Sequence, residues 1–323
     1  MKYKVFLMRE PSVTILLTVK NSRETIKNCI DSLLSLNYKN YKIYVTDAFS
    51  TDETYEILKK YKRKIKLEQI SGNMAKAYNY MTKKVYTKFI AYTDSDCIVE
   101  KNWLKELISS FTSENIIGVA GFCGTPKNVK LFQKVIGKEL EYRFKNFPKF
   151  ISRAPTMNFA IRTNIAKRVD YDERLDVSQE VDWGYRLNKY GKIFYNPKAK
   201  VYHYHRSDPK KYFNQQKKYG KFVVLTYLKN KDKILGDHIS TTKMMLQIPL
   251  FWLFFIFLFF SFFIFYLSYI SFICLFFIFL LYALDLFNLK PSLRELPFYL
   301  LMFVLRTFAW SIGILQGLIF LFK

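Results

Sequence analysis

Apolar positions in the first 122 residues follow two alternating rhythms. VTILLTV (13–19) is a short run rich in β-branched residues, the composition of a buried strand. In NSRETIKNCIDSLLSL (21–36), Ile26, Cys29, Ile30, Leu33 and Leu34 recur at helical spacing, and Asn21 with Glu24 reads as a capping box. YKIYVTD (41–47) is the next strand, and STDETYEILKKY (50–61) the next helix, with Ser50 and Glu53 as a second box. KIKLEQI (64–70), NMAKAYNYMTKKVY (73–86), KFIAYT (88–93), NWLKELISSF (102–111) and IIGVAGF (116–122) continue the alternation of strand and helix. This order predicts an α/β fold with a mostly parallel sheet and right-handed crossovers. Ligands of such sheets bind at the carboxyl ends of strands. Asp47 ends the second strand, and Asp94 and Asp96 end the fourth. Three carboxylates on one rim point to a bound cation.

Beyond Phe122 the rhythm loosens. Residues 125–144 read as a helix, APTMNFAI (154–161) as a strand returning to the sheet, and SQEVDWGYRLNKYG (178–191) as a helix stopped by Gly191. KIFYNPKAKVYHYHR (192–206) reads as a hairpin or a pair of short strands. A helix over 208–229 carries Pro209 near its first turn. Its lysines interleave with Tyr212, Phe213, Tyr219 and Phe222, a pattern suited to headgroup depth on an anionic membrane.

The pattern changes again near Met244. IPLFWLFFIFLFFSFFIFYL (248–267) and SYISFICLFFIFLLYAL (268–284) hold no charge, and about twenty apolar residues span a bilayer. They predict a transmembrane hairpin with a tight turn near Leu267–Ile270. The segment 297–323 is long enough to cross but carries Arg306, costly at mid-membrane unless paired or snorkelling; crossing is the expectation. Helices are expected at about 248–267, 269–287 and 297–321. The domain plan is a cytoplasmic catalytic domain over 1–228, a basic juxtamembrane segment over 229–247 and a membrane region over 248–323.

Charge sharpens this plan. The chain has 51 basic and 26 acidic residues, a net of +25. From Met244 onward only Lys290, Arg294, Arg306 and Lys323 are basic, so the excess lies almost wholly in the first part. Nucleic acid would attract such a surface, but no recognition motif is present and nucleic acid leaves the apolar tail unexplained. An anionic membrane surface accounts for both. Basic residues before the first span and at Lys290 and Arg294 after the second place the N-terminal domain in the cytoplasm. MKYKVFLMREPS has no sustained apolar core, so no leader is expected. Cys29, Cys97, Cys123 and Cys274 show no spacing for a disulfide framework or a zinc site.

VTILLTVKNSRETIKNCIDSLL, VTDAFSTDET, TDSDC, SQEVDWGYRL and VYHYHR stand in the order and spacing of family 2 inverting glycosyltransferases, and the chain resembles that family over roughly residues 11–220. The resemblance implies the GT-A fold, a nucleotide-sugar donor and a divalent cation, Mn2+ or Mg2+. The apolar tail looks like that of membrane-anchored members acting on lipid-linked or surface glycans. Asp96 resembles the family's metal-ligating aspartate, Asp94 its partner toward ribose and metal, and Asp47 the residue that meets the nucleotide base. Thr18 and Lys20 match the first donor loop, where the family's usual proline is Thr18. Lys76 and Asn79 match a helix bordering the donor, with Asn79 structural.

Single displacement at a sugar carbon needs a base for the acceptor hydroxyl. The family's Glu-Asp is Gln179-Glu180 here, which makes Glu180 the expected general base and Asp182 the fallback. His203, ending VYH, matches a histidine that approaches metal or diphosphate; His205 stands two residues on. Arg206, Lys210 and Lys211 are candidates for the diphosphate. FNQQKKYGKF (213–222) lacks the Arg-Trp of processive members, which argues against a polymer synthase. Two other readings stay open: a polyprenyl-phosphate sugar synthase, whose phosphate acceptor needs no base, and a membrane-tethered binding protein without turnover, against which the retained Asp94 and Asp96 argue.

Overall fold

The structure, a computed structural model, describes residues 10–321. The N-terminal expectation of no leader falls mostly on residues outside that range. The described chain divides into two compact units. The first holds residues up to Phe122 together with Lys149–Glu173 and Arg186–Tyr202.

The first unit opens with the predicted alternation: β1 (Val13–Val19), α1 (Ile26–Leu34), β2 (Tyr41–Asp47), α2 (Thr54–Lys59), β3 (Lys66–Gln69), α3 (Met74–Lys83) and β4 (Phe89–Tyr92). β5 (Cys97–Val99), α4 (Trp103–Ser109) and β6 (Ile116–Gly124) follow. α5 (Leu131–Lys145) leads into β7 (Phe150–Ile151), β8 (Phe159–Arg162), α6 (Thr163–Ala166), α7 (Gln179–Leu187) and β9 (Lys192–His203). The sheet runs β3-β2-β1-β4-β8-β6-β9-β5, with β7 paired to β9. β1, β2, β3 and β4 are mutually parallel, and Val19 stands opposite Asp47. β8, the strand expected to return to the sheet, is antiparallel to both β4 and β6. Strand order reverses between β1 and β4. In an α/β sheet that switch point opens the ligand crevice, and the loops after β1 and β4 flank it.

The two capping boxes do not form. Asn21 adopts φ +50°, and its side-chain oxygen accepts from the Thr51 amide at 2.8 Å, which ties the loop after β1 to the loop after β2. α1 therefore starts only at Ile26. Ser50 turns back to Asp47, while Asp52 accepts from the Thr54 amide at 3.2 Å. Asn73, by contrast, caps α3 by accepting from the Lys76 amide at 3.0 Å. Residues 192–203 form one strand rather than a hairpin. Asn196-Pro197 resembles a turn in sequence, but the Asn196 amide is anchored on α4 through Glu106 O (3.0 Å) and Ser110 Oγ (2.9 Å).

The second unit holds Cys123–Pro148, Arg174–Tyr185 and the chain from His203 onward. It contains α5, the first turns of α7, α8 (Pro209–Lys229), α9 (Thr242–Phe260), α10 (Leu267–Leu289) and α11 (Leu296–Leu321). The last three are long and apolar enough to cross a membrane. The hairpin turn lies at 261–266, not at Leu267–Ile270, and α9 begins at Thr242 rather than Ile248. A run without charges carries no signal for its own turn. The boundaries are set instead by Thr241, which caps α9 by accepting from the Met244 amide at 3.4 Å, and by Ser261, whose hydroxyl donates back to Leu258 O at 2.6 Å.

Arg306 of α11 is paired: its guanidinium donates to Glu139 Oε1 of α5 at 2.8 Å, and Arg143 donates to Glu139 Oε2 at 2.6 Å. Around this cluster Phe132, Val135 and Ile136 pack with Tyr212, Ile278, Tyr282, Tyr299, Met302 and Phe303. Tyr212 and Phe222 of α8 are buried, so they fill this unit's interior instead of resting among headgroups as the sequence pattern predicts.

Candidate active site

Three loops of the first unit are laced together at the carboxyl ends of β1, β2 and β4. The Asn21 amide donates to Ser50 Oγ at 2.9 Å, the Ser22 amide donates to Thr54 Oγ1 at 2.8 Å, and the Ser22 and Ser95 hydroxyls share a bond of 2.7 Å. The loop carrying Thr18 and Lys20 is thus fixed against the Asp-Ser-Asp turn. Thr18 is half-buried and Lys20 is exposed at the mouth of this rim.

Asp94 and Asp96 lie in a tight turn closed by the Cys97 amide donating to Asp94 O at 3.0 Å. Both are half-buried. Their field is felt by neutral acids behind them. Burial first, then the carboxylates of Asp96 and Asp94, push the Cys29 thiol far above its usual range. Burial and Asp94 likewise keep the Tyr78 phenol protonated. The turn carries two carboxylates, a hard-oxygen donor set suited to magnesium or manganese.

Asp47 is fully buried. Its oxygens accept from the Ser50 amide (3.0 Å), the Ser50 hydroxyl (2.5 Å) and Gln69 Nε2 (3.0 Å). A carboxylate has about four acceptor sites, so most of its capacity holds the loop after β2. Asn79 is structural: its amide donates to Tyr171 O (3.0 Å) and Glu173 Oε1 (2.9 Å) and accepts from the Tyr171 amide (2.7 Å). Lys76 is exposed.

In the second unit, Ser178 adopts φ +64° and its carbonyl accepts from the amides of Val181 (3.0 Å) and Asp182 (3.3 Å), starting α7. Glu180 sits half-buried in that first turn, where the helix dipole favours a carboxylate. Asp182 is buried and faces Lys229 Nζ at 3.7 Å. The two candidate bases therefore differ: Asp182 belongs to an internal ion pair, and Glu180 is the more accessible carboxylate.

His203 and His205 touch, Nδ1 to Nδ1 at 3.0 Å, with rings at 78°. One Nδ1 must donate and the other accept, so at least one ring is neutral. Gln133 Nε2 donates to His205 O at 2.6 Å, which fixes the segment. The sequence reading paired His203 with His205 as candidates for metal or phosphate but missed Gln133, whose partner lies 72 residues away. Arg206, Lys210 and Lys211 are exposed.

Comparison with known proteins agrees with this geometry. Residues 14–176, about half of the chain, match the Glycosyl transferase family 2 profile. The chain belongs to glycosyl transferase family 2. It is 25% identical over 156 residues to a poly-beta-1,6-N-acetyl-D-glucosamine synthase of Staphylococcus aureus, covering 47% of this chain and 37% of that one. It is 26% identical over 105 residues to the glycosyltransferase GlyA of Streptococcus pneumoniae, covering 31% of this chain and 15% of that one. In both cases the chain spans well under half of the relative's length. Among solved structures it resembles the mannosyltransferase PcManGT from Pyrobaculum calidifontis, determined with GDP-Man and Mn2+, at a TM-score of 0.61 over 96% of this chain and 88% of that one, with 10% identity. That likeness shows the shared GT-A fold.

Proposed function

We propose that the protein is a membrane-anchored, metal-dependent, inverting glycosyltransferase, with its catalytic part, residues 1–228, on the cytoplasmic face. It moves a sugar from a nucleotide-sugar to a hydroxyl of a lipid-linked or surface-glycan acceptor. The observation that carries this reading is the Asp94–Cys97 turn at the β1/β4 switch point, laced by Ser22 and Ser95 to the first donor loop. Asp96 and Asp94 would hold the cation, with His203 as a further ligand or a donor to the diphosphate. The cation would supply counter-charge to the leaving diphosphate. Thr18 and Lys20 border the nucleotide, and Asp47 shapes the base pocket mainly through Ser50 and Gln69. Arg206 adds positive charge for the phosphates.

Glu180 takes the proton of the acceptor hydroxyl as its oxygen attacks the anomeric carbon and the carbon–oxygen bond to the diphosphate breaks, inverting that carbon. Its carboxylate is held in the first turn of α7, whereas Asp182 is engaged by Lys229. The polymerising activity named for the staphylococcal relatives is not carried over, because QQKKY (215–219) has no Arg-Trp.

The test incubates membranes containing the full chain with a panel of radiolabelled sugar nucleotides, followed by lipid and glycan extraction. Label transfer should fall at least about a hundredfold in Asp96→Ala, as expected when one stabiliser of developing charge is lost. Full activity in excess chelator overturns the metal role, and no transfer from any donor overturns the enzyme reading. The Gln179-Glu180 pair favours one second reading, transfer to a lipid phosphate. Glu180→Gln should abolish transfer to a hydroxyl and spare transfer to a phosphate, which needs no base.

A further inference from the structure

The three apolar helices are not equivalent. In α11 half of the apolar window is buried within the protein, against 17% in α9 and 22% in α10. Its contacts with the hairpin also fall at one end. Thr307 Oγ1 donates to Gln247 Oε1 at 3.0 Å and accepts from the Tyr282 hydroxyl at 2.7 Å, and Phe308 meets Phe251 with ring centroids 5.6 Å apart. Gln247 and Phe251 belong to the first half of α9, and Tyr282 to the last half of α10. These are the halves that adjoin the rest of the unit. The other halves, Phe255–Phe260 and the start of α10, are mostly exposed.

On another face α11 lies on charged helices. At its start, Glu295 takes Lys138 at 2.6 Å and Lys134 at 3.4 Å, both from α5. At its middle, Arg306 takes Glu139 of the same helix. Its last third lies on α8 with backbone against backbone. A Cβ at Gly313 would stand 2.2 Å from Lys217 O, and one at Gly317 would stand 2.3 Å from Lys221 O. Lys217 and Lys221 therefore flank α11 some 17–21 residues beyond Leu296, a rise of roughly 25–32 Å at ~1.5 Å per residue. If α11 stood upright in the bilayer, it would carry those lysines across the hydrocarbon, which rejects unpaired charge.

α8 has no freedom to follow. Its N-terminus is capped by Asp208, three residues after His205, whose carbonyl is held by Gln133. Its C-terminal Lys229 reaches Asp182 of α7. A few residues on, Asp237 accepts from the Tyr185 hydroxyl at 2.7 Å. Its N-terminal end is thus tied to α5, and its C-terminal end to the segment that bears Glu180. Meanwhile Leu300, Leu301, Val304, Phe308, Leu315 and Ile319 leave one apolar stripe of α11 exposed.

We infer that α11 does not cross the bilayer: it lies in the leaflet that faces the catalytic part, its exposed stripe in lipid and its other face on α5 and α8, and only α9 and α10 traverse. The partner of this surface is the lipid leaflet, which is continuous with the exposed faces of the hairpin. α11 is apolar on nearly all sides, unlike an ordinary amphipathic surface helix; in this arrangement α5 and α8, rather than water, cover the face turned away from lipid. The inference rests on the reading that the hairpin enters the membrane.

The test uses the full chain with an N-terminal epitope and a second epitope on a flexible linker after Lys323, plus a separate Phe263→Cys variant. The native cysteines are buried, so they give a low labelling background. Protease and a membrane-impermeant maleimide are applied to vesicles of each orientation. Both epitopes should be lost in the same orientation, and Phe263→Cys should label in the other. Loss of the two epitopes in opposite orientations shows that α11 crosses and overturns the inference. Labelling of Phe263→Cys on the side of the N-terminal epitope shows instead that the hairpin does not traverse, and the membrane reading itself fails.

Discussion

The protein places carboxylates in semi-buried or buried positions in two regions, and it treats them in opposite ways. Glu139 sits between the guanidiniums of Arg143 and Arg306. Burial raises its pKa, but the two arginines more than offset that and hold it below the usual carboxylate range. At the rim, Asp96 and Asp94 add to burial in raising the Cys29 thiol, and Asp94 adds to burial in raising the Tyr78 phenol. In one region two arginines meet the carboxylate inside a helix packing. In the other the two carboxylates stand half-buried in a turn at the strand ends, where the proposed function places a cation.

Truncation should expose the contrast most strongly. Glu139→Ala leaves two buried guanidiniums without their counter-charge, and breaking a buried pair in this way costs about 3–5 kcal/mol. Thermal unfolding in detergent should show that loss. Asp96→Ala removes a charge from a half-buried turn rather than from a fully buried pair, and should cost less metal-free stability than Glu139→Ala does. Equal destabilisation by the two would remove the distinction.

Metal should separate the regions from the other side. A ligand that binds only the native state at a hundred times its Kd stabilises by about 2.7 kcal/mol. Mn2+ at that excess should raise the unfolding midpoint of the parent and of Glu139→Gln, and should leave Asp96→Ala unmoved. An equal Mn2+ shift in Asp96→Ala would place the cation elsewhere.

The rim was far more legible in sequence than the second unit, for physical reasons. Strands β1, β2 and β4 are short β-branched or aromatic runs, β2 ending at Asp47 and β4 two residues before Asp94, so period and composition located them within a residue or two. Capping was misread because Asn21 and Ser50 bond across loops 29 residues apart, and local spacing cannot show that. The hairpin turn was misplaced because uniform apolarity erases local signals. The partner of Arg306 lies 167 residues away, on a helix whose sequence looks soluble. Lys229 was readable as a charge, but its pairing with Asp182 became visible only in three dimensions.

The smallest effect expected is a response to acid. Lys138, by its hydrogen bond, pulls the Glu295 carboxyl down to about 2 from an ordinary 4.5, against the opposing effect of burial. Glu139 is also depressed. A depressed carboxyl stabilises the fold above its unfolded pKa, because the folded state then binds fewer protons than the unfolded one. The contribution is complete above pH 4.5 and is lost as pH falls through the folded value near 2. The unfolding midpoint in detergent should therefore be flat from pH 7 to about pH 5 with respect to these two groups and should decline below that. Glu295→Gln cannot titrate, so its decline should be shallower than the parent's, with a lower plateau at neutral pH because the Lys138 and Lys134 pairings are gone. If the parent and Glu295→Gln decline in parallel, this ion pair does not control acid stability, and the internal neutralisation ascribed to the second unit rests on Glu139 alone.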